Sequence, residues 1–174
     1  MIETTAIIAS VRIGWQVLAK LPVLGRWLLR WKFPISKCQS LLAVDVSASQ
    51  AQFELLPTRP SAGLAGLVTR WHNHLPFQVE IEIHELSVSI DSSCLLTQTL
   101  NTQCTIPATG SATIRLPELG LTDQQADWVR NLDRECVRAQ IELRWRVTSA
   151  VHDWVDQKTD VYLISINQDQ ASRS

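Results

Sequence analysis

His72 and His74 stand two residues apart in the run GLVTRWHNH (66–74). On an extended strand that spacing sends both imidazoles to one side, where they can ligate one metal. His84 is the candidate third ligand from the next strand, with Glu82 and Glu85 as orienting carboxylates. An H-x-H pair also arises often by chance, and beside a turn it reads first as two polar edge residues. No metal or cofactor is therefore assigned. Cys38, Cys94, Cys104 and Cys136 lack C-x-x-C spacing, so structural zinc finds little support. Cys94 and Cys104 are the pair to bridge across a hairpin if the body lies in an oxidising compartment; without an export signal, reduced and mostly buried thiols are expected. Cys38, next to Lys37, reads as a plain interfacial thiol before a lipidation site. There is no G-x-S-x-G, no S-x-x-K and no cysteine with an evident base. The carboxylates at Glu80, Glu82 and Glu85, and at Asp153, Asp156 and Asp160, sit in patterns that make solvated faces. No catalytic residue is named, and the expectation is a protein that is not an enzyme.

The strongest signal is one of placement. Residues 1–37 carry Arg12, Lys20, Arg26, Arg30, Lys32 and Lys37 against the single acid Glu3, amid Ala, Val, Ile, Leu, Trp and Phe. The whole chain has 16 basic and 17 acidic residues, so the rest holds 10 and 16. A basic apolar arm (1–37) thus precedes an acidic body (38–167) and a polar tail (168–174) expected to be disordered. The body has no basic stripe, which excludes nucleic acid as the expected partner.

Glu3 ahead of the apolar run and the absence of a small-residue cleavage site argue against a secretory signal. A window of about 20 residues long enough to span a bilayer takes in two or three of Arg12, Lys20 and Arg26. Each costs roughly 2.5–3.5 kcal/mol at the bilayer centre. At about 100° per residue, Arg12, Lys20, Arg26 and Arg30 share one face of a helix. Ile13, Val17, Leu18, Leu21, Leu24, Leu28, Leu29 and Trp31 share the opposite one. Pro22 divides the arm into a helix ending near Leu21 and a second to about Trp31, and Pro34 closes the segment. Trp15, Trp27 and Trp31 suit the headgroup level. The anchor residues are therefore Arg12, Trp15, Lys20, Leu24, Trp27, Leu28, Arg30 and Trp31. They serve an anionic membrane surface, with a membrane span, a partner subunit or packing on the protein's own body as the other readings.

Past Pro34 the period becomes two. Strands are expected at 41–47 (LLAVDVS), 52–56, 66–74, 77–90, 94–96, 99–106, 111–116, 137–148 and 160–167. Within 77–90, apolar residues are odd-numbered to Ile83 and even-numbered from Leu86, which predicts a bulge near His84-Glu85. In 137–148 the outer face carries Arg138, Arg144 and Arg146, a cross-strand pairing set or a docking face for an acidic protein. Trp154 falls in a loop expected over 150–158, as an exposed anchor or a cover for the end of the fold. Thr122, Asp123 and Gln125 form a capping box before Ala126, Val129 and Leu132, predicting one short helix near 122–132. The fold class is mainly β, an immunoglobulin/fibronectin-like antiparallel β-sandwich with a helical arm.

Trp71-His72-Asn73-His74-Leu75-Pro76-Phe77 is an Asn-centred turn, followed by the long alternating strand to Ile90, a weak hairpin, a turn at Ile106-Pro107-Ala108 and a strand from Ala112 to Leu116. This order, from Val68 to Leu132 and more loosely over about 40–167, resembles the water-stress and hypersensitive-response (WHy) domain of group-two late embryogenesis abundant proteins. The Asn-Pro-Asn form of that turn is absent, and Asp91-Ser92-Ser93 stands where the domain usually has glycine. The resemblance implies an immunoglobulin-like sandwich and a non-enzymatic binding or protective module, often behind a membrane-proximal segment. It carries over no catalytic residue. The expected function is a binding or assembly module, membrane-associated on the cytoplasmic side; the alternative is an accessory subunit whose arm packs into partners.

Overall fold

A computed structural model of the chain describes residues 24–55, 62–132 and 134–167. Two helices lead in, α1 (Leu24–Lys32) and α2 (Ile35–Leu41). Strands β1 (Leu42–Ser47), β2 (Gln52–Glu54), β3 (Gly63–Ala65), β4 (Val68–Asn73), β5 (Val79–Ile90), β6 (Ser93–Ile106), β7 (Ser111–Arg115) and β8 (Leu119–Gly120) follow. Helix α3 (Asp123–Arg130) precedes the long hairpin β9 (Cys136–Ser149) and β10 (Asp153–Asn167). A three-stranded sheet has the order β1-β4-β7, and a seven-stranded sheet the order β6-β5-β9-β10-β2-β3-β8.

The alternating sequence explains why these strands form and which way they face. Val137, Ala139, Ile141, Leu143, Trp145 and Val147 are all buried, while Arg138, Gln140, Arg144, Arg146 and Thr148 between them are exposed. The parity change in β5 is a register shift between Ile83 and Glu85 against both neighbours, so Val79, Ile81 and Ile83 and then Leu86, Val88 and Ile90 all reach the core. The two sheets meet where Trp71 of β4 packs edge-on against Trp145 of β9, with ring centroids 5.1 Å apart at 85°. Thr69 is buried under that contact and accepts a hydrogen bond from Trp71 Nε1 at 2.9 Å. The α3 capping box forms as the sequence predicts: Gln125 N–H donates to Thr122 Oγ1, and Thr122 N–H donates to Gln125 Oε1.

Several expectations change. The sandwich is not wholly antiparallel, because Ser165–Asn167 of β10 pair in parallel with Gln52–Glu54 of β2. Residues 94–96 and 99–106 belong to one strand, β6. Cys94 and Cys104 therefore lie ten residues apart along it, roughly 33 Å at the rise of a strand. That is far beyond disulfide reach, and both are free thiols. The loop expected over 150–158 is mostly strand: β10 starts at Asp153, and Trp154 is buried opposite Val147. Polar residues at the inward positions 156, 158 and 160 concealed this half of β10. α1 does stop short of Pro34, but a second helix, α2, follows at once with Pro34 at its N-cap, since a proline at a helix start forfeits no intrahelical bond. Asp91 and Ser92 take the left-handed conformation (φ 49° and 66°) that a two-residue hairpin turn requires, in place of glycine.

Asn73 ties the turn after β4 to the turn after β6. Its Nδ2 donates to Phe77 O and to Pro107 O, each at 2.9 Å, and its Oδ1 accepts from Leu75 N–H at 3.0 Å. The side chain is fully buried. Because these acceptors and this donor are main-chain groups shut away from water, a short polar side chain is required here.

Candidate functional site

Helix α1 is anchored to the body by one face and leaves another bare. Leu29 is 1% exposed, and Phe33, just past the helix end, meets Phe77 edge-on at 5.7 Å. Arg30 Nε donates to Val151 O at 2.9 Å, and His152 Nε2 lies 3.0 Å from Phe33 O, so the helix is bound to the β9–β10 hairpin loop. Lys37 Nζ sits 5.0 Å from the centroid of the Phe33 ring. With Leu29 at 0° and about 100° per residue, Trp27, Leu28 and Trp31 fall between about 160° and 260°. All three are exposed, Trp27 by 65% and Trp31 by 79%. Arg26 and Arg30 border this ridge at about 60° and 100°, and Lys32 borders it near 300°. Ile35 of α2 is a further exposed apolar residue.

The apolar residues of the arm are thus split, a division the sequence reading did not make. It placed Leu28, Leu29 and Trp31 on one broad face; the structure spends Leu29 on the core and leaves Leu28 and Trp31 outside. Arg30 reaches the body through its own hydrogen bond. Arg12, Trp15 and Lys20, the helix expected to end near Leu21, and the tail from 168 lie outside the described residues, as does the side chain of Leu24. No helix among the described residues is long and apolar enough to cross a membrane.

The other candidates separate in space. His72 and His74 are neighbours on the exposed side of the small sheet, their rings stacked at 6.5 Å. His84 sits at the β5 bulge in the large sheet, 3.6 Å from Glu82, and does not join them. Among the described residues no three His, Cys, Asp or Glu side chains converge on a metal-sized site. Cys38 is buried, with Sγ 3.5 Å from Phe33 O, and burial pushes its thiol pKa up against the smaller pull of Lys37. It is not placed for lipidation. Arg138, Arg144 and Arg146 all lie on the outward face of β9. Arg144 is engaged by Glu85 at 3.3 Å and Glu142 at 2.8 Å. Arg146 stands opposite Glu82, and Arg138 opposite Leu163.

No family model and no curated protein sequence matches this chain. Among solved structures, it is similar to a protein from Archaeoglobus fulgidus at 9% identity, covering 71% of this chain and 94% of that one with a TM-score of 0.50. A Northeast Structural Genomics Consortium target resembles it at 8% identity over 72% of this chain and 87% of the other, with a TM-score of 0.47. At such identity the likeness to the archaeal protein is one of fold, and the chain stands as a mainly β protein of two packed sheets behind a helical lead-in.

Proposed function

We propose that this chain is a non-enzymatic, membrane-proximal binding or assembly module, held at an anionic membrane surface on the cytoplasmic side by α1 and the basic leader before it. One observation carries the reading: Trp27, Leu28 and Trp31 form a bare apolar ridge diametrically opposite the buried Leu29, with cationic residues along both flanks. A helix that has already filled its body contact keeps such a ridge only at a cost in water. Tryptophan rings and arginine or lysine stems suit the lipid headgroup region. The seven-stranded sheet behind it is then an assembly surface, with the β9 arginines as its docking face for acidic protein.

An immunoglobulin- or fibronectin-like sandwich related to the WHy domain is the finer reading of the body. It is supported by the long β5 following the Asn73 turn, the β5–β6 hairpin, and β7 following the turn at Pro107–Gly110. Kinship with that domain goes with a binding or protective role and brings no catalytic residues.

The test is flotation of the full chain with phosphatidylserine-containing vesicles, against a Trp27→Ser/Trp31→Ser variant. Rings of roughly 150–250 Å², inserted over about half their area at ~25 cal/mol per Å², contribute about 4–6 kcal/mol together. The expected loss in partitioning is therefore several hundredfold or more, and binding of the parent chain should weaken with salt. A parent chain that stays with the soluble fraction at low salt overturns the membrane reading and leaves the accessory-subunit alternative, with the two tryptophans as interface anchors.

A further inference from the structure

Strand β10 is paired along almost all of one side and along very little of the other. β9 pairs with it from Asp153 to Ser165, whereas β2 pairs only with Ser165–Asn167. Ile166 N–H donates to Glu135 O on the β9 side, and Asn167 O accepts from Leu55 N–H on the other. The register with β9 is unbroken, so even-numbered residues turn their N–H and C=O toward β9 and odd-numbered ones turn them away. From Asp153 to Leu163 the odd residues therefore face no strand among the described residues, although Gln157 N–H is taken locally by Asp156 Oδ1 at 2.9 Å and must be released for pairing. Their side chains point outward, and Val155, Val161 and Leu163 are 62%, 64% and 65% exposed. The sheet's opposite edge, β6, shows only polar residues on its exposed side, from Thr97 to Thr105. Long open edges with exposed aliphatic residues are what sheet proteins ordinarily avoid.

We propose that this edge pairs with β10 of a second copy of the chain, antiparallel, about a two-fold axis through Thr159. The start of β2 at Ser165 limits the pairing to Val155–Leu163. In this register Val155 lies opposite the partner's Leu163 and Gln157 opposite the partner's Val161 on the outer face. On the inner face Lys158 meets the partner's Asp160, and Asp156 meets the partner's Tyr162, each twice by symmetry. Within one copy Lys158 already holds Asp160 at 3.1 Å and donates to Val44 O at 2.8 Å, and Tyr162 Oη donates to Asp160 at 3.0 Å, so these groups are ordered. Only even shifts keep the free backbone groups facing one another, and both nearest alternatives are penalised. An axis through residue 158 sets Lys158 on Lys158 and Asp156 on Asp160; an axis through 160 sets Asp160 on Asp160. Like charges directly opposite disfavour a register, so the charge order of the strand selects Thr159 as the centre.

Sedimentation equilibrium of the full chain, without lipid, tests the pairing. The parent chain is expected to dimerise with rising concentration. Thr159→Pro removes a donor that bonds nothing among the described residues, a position where an edge strand tolerates proline. It should raise the dissociation constant about tenfold or more while far-UV circular dichroism stays native. Asp160→Lys should weaken the dimer, and Lys158→Glu/Asp160→Lys should restore it. On mild oxidation, Thr159→Cys should form a covalent dimer above the parent background and Gln157→Cys should not. A natively folded chain that remains monomeric at all concentrations overturns the proposal. So does a dimer indifferent to Thr159→Pro, or one abolished by Trp27→Ser/Trp31→Ser, which would place the contact on α1.

Discussion

Replacing Asn73 by alanine should be strongly destabilising, although it alters no apolar contact of note. The substitution removes two donor bonds at 2.9 Å, to Phe77 O and Pro107 O, and one acceptor bond at 3.0 Å, from Leu75 N–H. At about 0.5–1.5 kcal/mol net per bond the direct loss is roughly 1.5–4.5 kcal/mol. Leaving the Leu75 donor unpaired in a buried site adds on the order of 1–3 kcal/mol unless water enters. The expected total is about 2.5–7.5 kcal/mol, a large part of the ~5–15 kcal/mol typical of a folded domain. Urea unfolding followed by tryptophan fluorescence should show a lower midpoint at unchanged slope. Asn73→Asp sharpens the test. It keeps the acceptor for Leu75 but aims a carboxylate oxygen at two carbonyls, which holds the folded carboxyl pKa above its ordinary value. The penalty is then smallest below the unfolded pKa of about 3.9 and grows as pH rises through the folded value. Asn73→Asp should therefore be worse than Asn73→Ala at pH 7, with the gap closing toward pH 4. A loss under 1 kcal/mol for Asn73→Ala, or no pH dependence in that gap, would refute the clamp.

Two further outcomes follow from burial. Leu29→Ala should cost about 2–4 kcal/mol of stability in the same unfolding assay while leaving vesicle binding of the folded protein close to that of the parent, because Leu29 faces the core and not the ridge. Tyr162 has its pKa raised chiefly by burial, then by its hydrogen bond to Asp160 and the charges of Asp160 and Asp45. Its contribution is complete below the unfolded tyrosine pKa of about 10 and is lost as pH rises above it. Unfolding midpoints measured from pH 8 to 11 should fall more steeply for the parent than for Tyr162→Phe.

Legibility in the sequence followed the strength of local pattern. β5 and β9 announce themselves because one face of each is wholly apolar and the other wholly polar, and the β5 bulge is visible as a change of parity. Helix α3 is legible from its capping box. β3 and β8, with three and two residues, are too short to show a period. The first half of β10 is hidden because its inward side chains, Asp156, Lys158 and Asp160, meet the half-open margin near β1, where Lys158 Nζ reaches Val44 O at 2.8 Å. At the site, the sequence identified α1 and its tryptophans but not which face the body claims. A helical wheel treats Leu28 and Leu29 alike, and only tertiary contact with the hairpin loop and Phe77 distinguishes them. The histidine reading failed for a related reason: spacing along one strand is local, whereas the sheet that holds His84 is set by long-range pairing.

The hold of α1 on the β9–β10 loop has a geometric consequence. That loop stands at the end of β5 near Val79, and the Asp91–Ser92 turn stands at the other end. Twelve residues of strand separate them, about 40 Å at ~3.3 Å each. Since the helix is bonded to the loop at both Arg30 and Phe33, whatever it rests on sets the tilt of the whole sheet. On the proposed membrane reading, the far turn and the α3 flank would stand that distance from the base.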